Sequence, residues 1–284
     1  MLNKNIETFI GCENNYSSAE IALFGAPFDG TASFRPGARF APKAIRADSF
    51  GIETYSPYQN KDLNELKIFD GGDIELPFGN TKKVLSMIED HATALISDGK
   101  LPVMIGGEHL ITLGAVRAAI KKFPNLHIIH FDAHADLRDQ YLGETLSHAT
   151  VMRRICEKLG DAKIYQFGIR SGEASEFEFS NAHTVMQKFN LEGFASKIKP
   201  LFGKPIYISI DLDVLDPSIF PGTGTPEAGG VTFNELLYAI ISLSPLHIIG
   251  CDLTELSPTC DHSGVSTLVA CKILRELLLT IGGK

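Results

Sequence analysis

The sequence has no tryptophan and only five cysteines in 284 residues: Cys12, Cys156, Cys251, Cys260 and Cys271. They are odd in number and scattered, and no pair has zinc-finger spacing. A disulfide framework is therefore not expected, and a reducing compartment is favoured. Positive charge is the scarcer sign, with Lys+Arg 26 against Asp+Glu 34 and a formal net charge of −8. That argues against a general nucleic-acid binder, whose surface is basic. It suits a cationic partner, although many enzymes of neutral substrates are as acidic. Long apolar runs are also missing. The longest, residues 236–251, is interrupted by Ser242, Ser244, Pro245 and His247. A spanning helix needs roughly 20 apolar residues, so no membrane segment is expected. Residues 1–7 show no basic region followed by an apolar stretch. No secretory signal is visible, and the cytoplasm is the expected location.

What remains is ordinary for a globular protein, with 44% hydrophobic and 21% charged residues. A chain of this length can bury a large core without disulfide or metal staples. Short apolar runs occur at 21–25, 66–70, 102–105, 127–132, 163–168, 205–211 and 247–253. Most lack in/out alternation, as strands buried on both faces of a parallel sheet do. Helical patterns lie between them at 81–98, 112–122, 148–159, 190–198, 232–242 and 263–280. In the first, Val84, Leu85, Ile88, Ala92 and Leu95 recur at a helical spacing and read as core packing. Strand and helix in alternation predict an α/β fold, a three-layer sandwich with a mostly parallel sheet and helices on both faces. No linker, composition shift or fixed-period repeat divides the chain, so one domain over residues 1–284 is expected. The Gly/Pro-dense segment 217–230 follows a strand and reads as a long functional loop.

The chemistry concentrates at three strand ends. In His130-Phe131-Asp132-Ala133-His134-Ala135-Asp136, Asp132, His134 and Asp136 are spaced by two. On an extended chain such residues point to one side. Carboxylate, imidazole and carboxylate converging at the C-terminal end of a strand form half of a metal site. In open α/β sheets that end is also where ligands sit. The apolar strand before Asp211-Leu212-Asp213 ends in two acids that would repel each other without a cation. Gly106-Gly107-Glu108-His109 closes a third strand, and its glycines would let the chain turn and bring His109 to the sheet edge. His109, Asp132, His134, Asp136, Asp211 and Asp213 are too many donors for one metal in an open site. Two metals sharing carboxylates are the natural solution. The oxygen-rich set without thiolates favours Mn²⁺ over structural zinc. Such cations would offset the repulsion of the carboxylates and give hydroxide from water near neutral pH.

These segments resemble the three signatures of the ureohydrolases, the family of arginase and agmatinase. The resemblance extends to Gly25-Ala26-Pro27-Phe28-Asp29-Gly30, to Arg35–Arg39 with Ile45-Arg46, and to Gly222-Thr223-Gly224-Thr225-Pro226-Glu227 and Glu255-Leu256-Ser257-Pro258. It covers nearly the whole chain, and no ligand position is missing. It implies an arginase-like fold and a hydrolase of guanidino compounds with two Mn²⁺ per chain. His109, Asp132, Asp136 and Asp211 would hold one ion. Asp132, His134, Asp211 and Asp213 would hold the other. A hydroxide between them, oriented by Asp136, would attack the guanidinium carbon. Glu255 would pair with the guanidinium, a planar cation that a carboxylate grips bidentately. His148 would shuttle a proton to the departing amine, a task that suits an imidazole of near-neutral pKa. The resemblance further implies a trimer or hexamer. A catalytically dead binding subunit of the same fold would have lost a ligand or His148, and neither is lost. A related amine deacetylase with a single zinc would not explain six ligands.

Selectivity must come from loops that meet the far end of the substrate. The segment Leu137–His148 lacks the arginase pattern of hydroxyl and amide side chains for an α-carboxylate, and it looks like the agmatinase version. It is acidic at Asp139 and Glu144, and Glu173 and Glu227 are further candidate partners for a substrate ammonium. Agmatine fits that reading, with guanidinobutyrate, aminopropyl-agmatine and, less well, arginine as alternatives. Arg138 is the residue that could instead serve a carboxylate tail.

Overall fold

The structure, a computed structural model, describes residues 7–283. The strands are β1 (Ile21–Ala26), β2 (Tyr55–Ser56), β3 (Lys61–Asp62), β4 (Ile68–Asp73), β5 (Leu101–Gly106), β6 (His127–Phe131), β7 (Ile164–Ile169), β8 (Val185–Lys188), β9 (Pro205–Asp211) and β10 (His247–Thr254). The α-helices are α1 (Ala41–Asp48), α2 (Thr81–Ser97), α3 (Ile111–Lys122), α4 (Val151–Leu159), α5 (Ala174–His183), α6 (Phe194–Lys197), α7 (Phe233–Ile241) and α8 (Val265–Ile281). Eight strands form one sheet in the order β4-β1-β5-β10-β9-β6-β7-β8. Every neighbouring pair in it is parallel. The expectation of a mostly parallel sheet is met by one that is wholly parallel. Outside it, β2 and β3 pair as a short antiparallel ribbon.

Alternate strand residues feed two cores, which is why the strands read as continuous apolar runs. Leu23, Val103, Phe131, Ile208 and Leu253 face one side with α1, α7 and α8. Phe24, Met104, Ile128, Tyr207 and Ile249 face the other with α2, α3 and α4. Each fully buried Leu, Ile or Phe contributes roughly 1.5–3 kcal/mol of hydrophobic stabilisation. The stripe Val84, Leu85, Ile88, Ala92 and Leu95 is buried on α2 as its spacing predicts. Among the described residues no helix is long and apolar enough to cross a membrane. No cysteine there forms a disulfide, and four of the five are buried.

The deviations have local causes. The stretch expected to be helical over 190–198 holds only α6 and a 3-10 turn at Lys199–Leu201. Gly193 at φ 69° starts the helix late and Pro200 cannot continue it. Helix α5 was not expected, because its Phe177 and Phe179 sit two residues apart rather than three or four. Strand β8 lies at the sheet edge with Val185 and Lys188 exposed, and so lacks the buried-strand signature.

The order of the strands positions the site. Strands β5, β10, β9 and β6 lie side by side at the centre, and all their C-terminal ends open on one edge. After β5 and β6 the chain crosses to the face that carries α3 and α4. After β9 and β10 it crosses to the face that carries α7 and α8. Adjacent strands whose connections part to opposite faces leave a crevice between their loops.

Candidate active site

Each of the four central strands delivers donors to that crevice. Past β5, Gly107 approaches the backbone of Phe28 so closely that a Cβ would overlap its carbonyl oxygen. Neither Gly106 nor Gly107 has a positive φ, so the pair serves close packing rather than a left-handed turn. This places His109 just before α3. Past β6 the chain runs through Asp132 and His134 to Asp136, whose φ of 54° turns it inward. Asp211 ends β9, and Asp213 sits in the 3-10 turn Leu212–Val214. Glu255 follows β10 with φ 64°. Positive φ is uncommon outside glycine, and here it falls on two residues of the site.

The side chains converge. His109 Nδ1 lies 3.1 Å from Asp132 Oδ2, 3.0 Å from Asp136 Oδ2 and 3.3 Å from Asp211 Oδ2. His134 Nδ1 lies 2.9 Å from Asp213 Oδ2 and 3.5 Å from Asp132 Oδ1. Near as these oxygens are, His109 Nδ1 and Asp213 Oδ2 are buried with no properly aligned hydrogen-bond partner. The reason is visible behind His109. Ser209 Oγ donates to Asp252 Oδ1 at 2.6 Å and accepts from His109 Nε2 at 2.9 Å. That fixes the proton on Nε2 and turns a lone pair at Nδ1 toward three carboxylates. Lone pair against carboxylate is repulsive unless a cation sits between them. The donor set therefore fits metal binding, and its donor atoms gather in two groups: the buried His109, His130 and Asp132, and Asp132 and Asp213 with the half-buried His134. Asp132 is common to both.

Without a metal, protons take the cation's place. Burial lowers the basicity of His109, but Asp132, Asp136 and Asp211 outweigh it and hold the imidazole well above its ordinary range. Burial, with the charges of Asp213 and Asp132, pushes Asp211 well up. Burial and Asp132 push Asp136 to about 7. Asp132 moves the other way: burial would raise it, but the adjacent imidazoles of His109 and His130 hold it well below the usual carboxylate range.

A cavity of about 450 Å³ opens above this floor. Glu255 lines it, with Oε1 accepting from His109 N at 2.8 Å. Burial, with the charge of Glu108, pushes its carboxyl up to about 8. His148 lines the cavity too. Ser147 caps the turn that carries it, and His148 Nδ1 donates to Thr31 O at 2.9 Å. Its Nε2 then presents a lone pair, 3.3 Å from Ser33 Oγ. Thr31 is held in turn by Glu108, which accepts from its backbone N–H and its hydroxyl. Burial lowers His148 to about 4, so the near-neutral imidazole expected from sequence is instead one that rests uncharged at pH 7.

The four acids expected to meet the far end of a substrate fare unequally. Asp139 is not in the cavity: its side chain is 72% exposed and pairs with Arg154 at 2.8 Å. Glu144 is exposed and faces a separate hollow of about 500 Å³ beside Leu142 and Ser147. Glu173 does line the cavity, but it is paired with Arg138 Nη1 at 2.8 Å. Glu227 lines it with no such partner. It accepts from Ser171 Oγ at 3.0 Å and lies 3.9 Å from His134 Nε2. Arg138 also approaches the buried Glu176 at 3.6 Å and lies over the ring of Tyr141. Its charge is thus matched within the protein. Sequence reasoning missed His130, Gln166, Ser209 and Asp252; apart from the pair His130–Asp132, their partners are remote in sequence.

Comparison with known proteins agrees with this geometry. The arginase family model matches residues 19–280. The chain is 46% identical over 277 residues to an agmatinase of Bacillus anthracis, covering 96% of each. It is equally identical to an agmatinase of Bacillus subtilis over the same length and coverage. Its fold superimposes with a TM-score of 0.88 on the crystal structure of the agmatine ureohydrolase of Thermoplasma volcanium, at 34% identity and covering 98% of this chain and 95% of that one. With the donor cluster, the sheet order and these matches in agreement, this chain belongs to the arginase family.

Proposed function

We propose that the protein hydrolyses agmatine to putrescine and urea with two Mn²⁺ per chain. The observation that carries the substrate choice is the charge balance of the cavity. Arg138 at its rim is matched by Glu173, so no arginine or lysine lining the cavity is left to pair with a substrate carboxylate, while Glu227 lines it with Ser171 and, at 3.9 Å, His134 beside it. A substrate with a cation at each end fits such a cavity. A carboxylate tail would be stripped of water with no partner in place, at a cost of several kcal/mol.

In this reading His109, Asp132, Asp136 and Asp211 would hold one ion, and Asp132, His134, Asp211 and Asp213 would hold the other. What the metals supply when bound is a water made nucleophilic near neutral pH. The chain's own residues do the rest. Glu255 pairs with the guanidinium bidentately. Its hydrogen bond from His109 N fixes where that pair forms. Asp136 orients the attacking water. A C–O bond forms at the guanidinium carbon and the C–N bond to the butyl chain breaks. The proton shed by the water passes through His148 Nε2 to the departing nitrogen, because an amine leaves only when protonated. Glu227 receives the ammonium end. The five free thiols and the family resemblance support a cytoplasmic trimer or hexamer, read out by cell fractionation and by light scattering on eluted protein.

The test is urea release by Mn²⁺-loaded protein with agmatine, arginine, guanidinobutyrate and aminopropyl-agmatine side by side. A kcat/KM for agmatine roughly a hundredfold or more above arginine is expected, since each 1.4 kcal/mol is tenfold. If guanidinobutyrate wins, and loses its advantage in Arg138→Ala, the enzyme is a guanidino-acid hydrolase instead.

A further inference from the structure

His130 is the one buried imidazole of the metal cluster to which the reading above gives no task. It is fully buried, its ring centre is 4.9 Å from that of His109, and its Nε2 is 2.8 Å from Asp132 Oδ2. Distance alone would make it a third histidine ligand. Its other nitrogen decides otherwise.

In the parallel register His130 stands opposite Gln166 of β7. Gln166 Nε2 lies 2.8 Å from Ala135 O and 3.1 Å from His130 Nδ1. A backbone carbonyl only accepts, so the amide nitrogen must face it, and that nitrogen has only protons to offer His130. The amide is pinned from its other end as well, where Thr184 Oγ1 donates to Gln166 Oε1 at 3.1 Å. Nδ1 is therefore an acceptor, the single ring proton sits on Nε2, and Nε2–H donates to Asp132 Oδ2. An Nε2 that carries a proton cannot ligate a metal, and a proton on Nδ1 as well would oppose the amide protons of Gln166.

We infer that His130 is a positioning residue rather than a metal ligand, and that the Gln166–His130 pair fixes the rotation of the Asp132 carboxylate. With Oδ2 held on the His109 side, Oδ1 faces His134, whose backbone N–H donates to it at 2.6 Å. A carboxylate so held offers one oxygen to each side of the cluster before any metal arrives. Partners behind a ligand set its orientation and basicity, and losing one typically weakens metal affinity roughly 10–100-fold. The inference rests on the reading of Asp132 as the ligand shared by two metals.

The test has two readouts, neither of them activity. Nitrogen NMR of the histidine rings in wild-type protein, metal-free and loaded with diamagnetic Zn²⁺, is expected to show His130 protonated at Nε2 and bare at Nδ1 in both states. Loss of the Nε2 proton on loading would make it a ligand and overturn the inference. Calorimetric titration with Mn²⁺ is then compared for wild type, His130→Phe and Gln166→Leu. Both variants should still take two ions, with affinity lower by roughly 10–100-fold. One ion lost per chain, or unchanged affinity in both variants, would also overturn it. If His130→Phe does not fold, Gln166→Leu and the wild-type spectra still decide. Wild type binding fewer than two ions would instead refute the binuclear reading, and the ring tautomer would then judge the role of His130 alone.

Discussion

At the scale of single residues, the site gathers four buried carboxylates, and in the proposed reading Asp132 and Asp211 serve both halves of the cluster. Asp211 lies beside His109 and receives Asp213 N at Oδ1. Replacing it with Ala is expected to abolish binding of both metals, whereas Asp213→Ala should weaken mainly the His134 side. Metal analysis after gel filtration checks this, and two tightly held Mn²⁺ in Asp211→Ala would refute the shared role. His148 carries a separate consequence for stability. Its pKa falls from about 6.5 in an unfolded chain to about 4 in the folded one. The unfolded state then binds more protons between those values, so this group's contribution is present above pH 6.5 and lost as pH falls through 4. The loss is on the order of 3 kcal/mol at most. In metal-free protein, His148→Asn should flatten the fall in denaturant midpoint between pH 6.5 and 4. An identical slope in variant and wild type would contradict the burial argument.

At the scale of elements, a buried ion pair within the long final helix α8 hydrogen-bonds the helix to the segment that carries β2. Arg275 donates to Glu276 Oε1 from Nε at 3.0 Å and from Nη2 at 2.7 Å, and from Nη1 to Glu53 O at 2.8 Å. Glu276 Oε2 accepts from Ser56 Oγ at 2.7 Å and Gln59 Nε2 at 2.8 Å. Breaking one side of such a pair strands the other charge. Glu276→Leu is expected to cost roughly 3–5 kcal/mol, and Arg275→Met with Glu276→Leu substantially less. Urea unfolding of the two variants measures the difference. A double variant as unstable as the single one would show that packing, not charge, sets the cost. Elements also show where the sequence was readable. The central strands were placed to within a few residues, because burial on both faces leaves a continuous apolar run. Edge strand β8 and helix α5 were not, because neither has a one-sided apolar pattern of the usual period.

At the scale of the whole molecule, metal binding and folding are linked. The cluster joins the ends of β5, β6 and β9, three strands from separate parts of the chain, and their carboxylates repel when no cation is present. Ions that bind the folded state alone stabilise it by about 2.7 kcal/mol at a hundredfold excess over Kd. For a chain of this size that corresponds to roughly 5–10 °C. Chelation should therefore lower Tm by about that amount, and Tm should rise with Mn²⁺ concentration. A Tm indifferent to both would argue against a metal site that bridges the strands.

The sequence by itself determined the types of donor and the sheet edge where they gather. D-x-H-x-D and D-x-D are local patterns that close apolar runs, which marks the sheet edge, but β6 ends at Phe131, Asp136 has φ 54° and Asp213 lies in a 3-10 turn, so the loops rather than a strand's period bring the donors together. Only the tertiary structure decided which atoms carry protons and which charges are already matched. Gln166 sets the tautomer of His130 across 36 residues, and Ser209 that of His109 across 100. Glu173 neutralises Arg138 from the far side of β7, while Asp139, one residue from Arg138, turns outward to Arg154. These outcomes depend on contacts between segments that only the strand order makes neighbours. A side chain's charge is written in its residue type, but its partner is chosen by the fold.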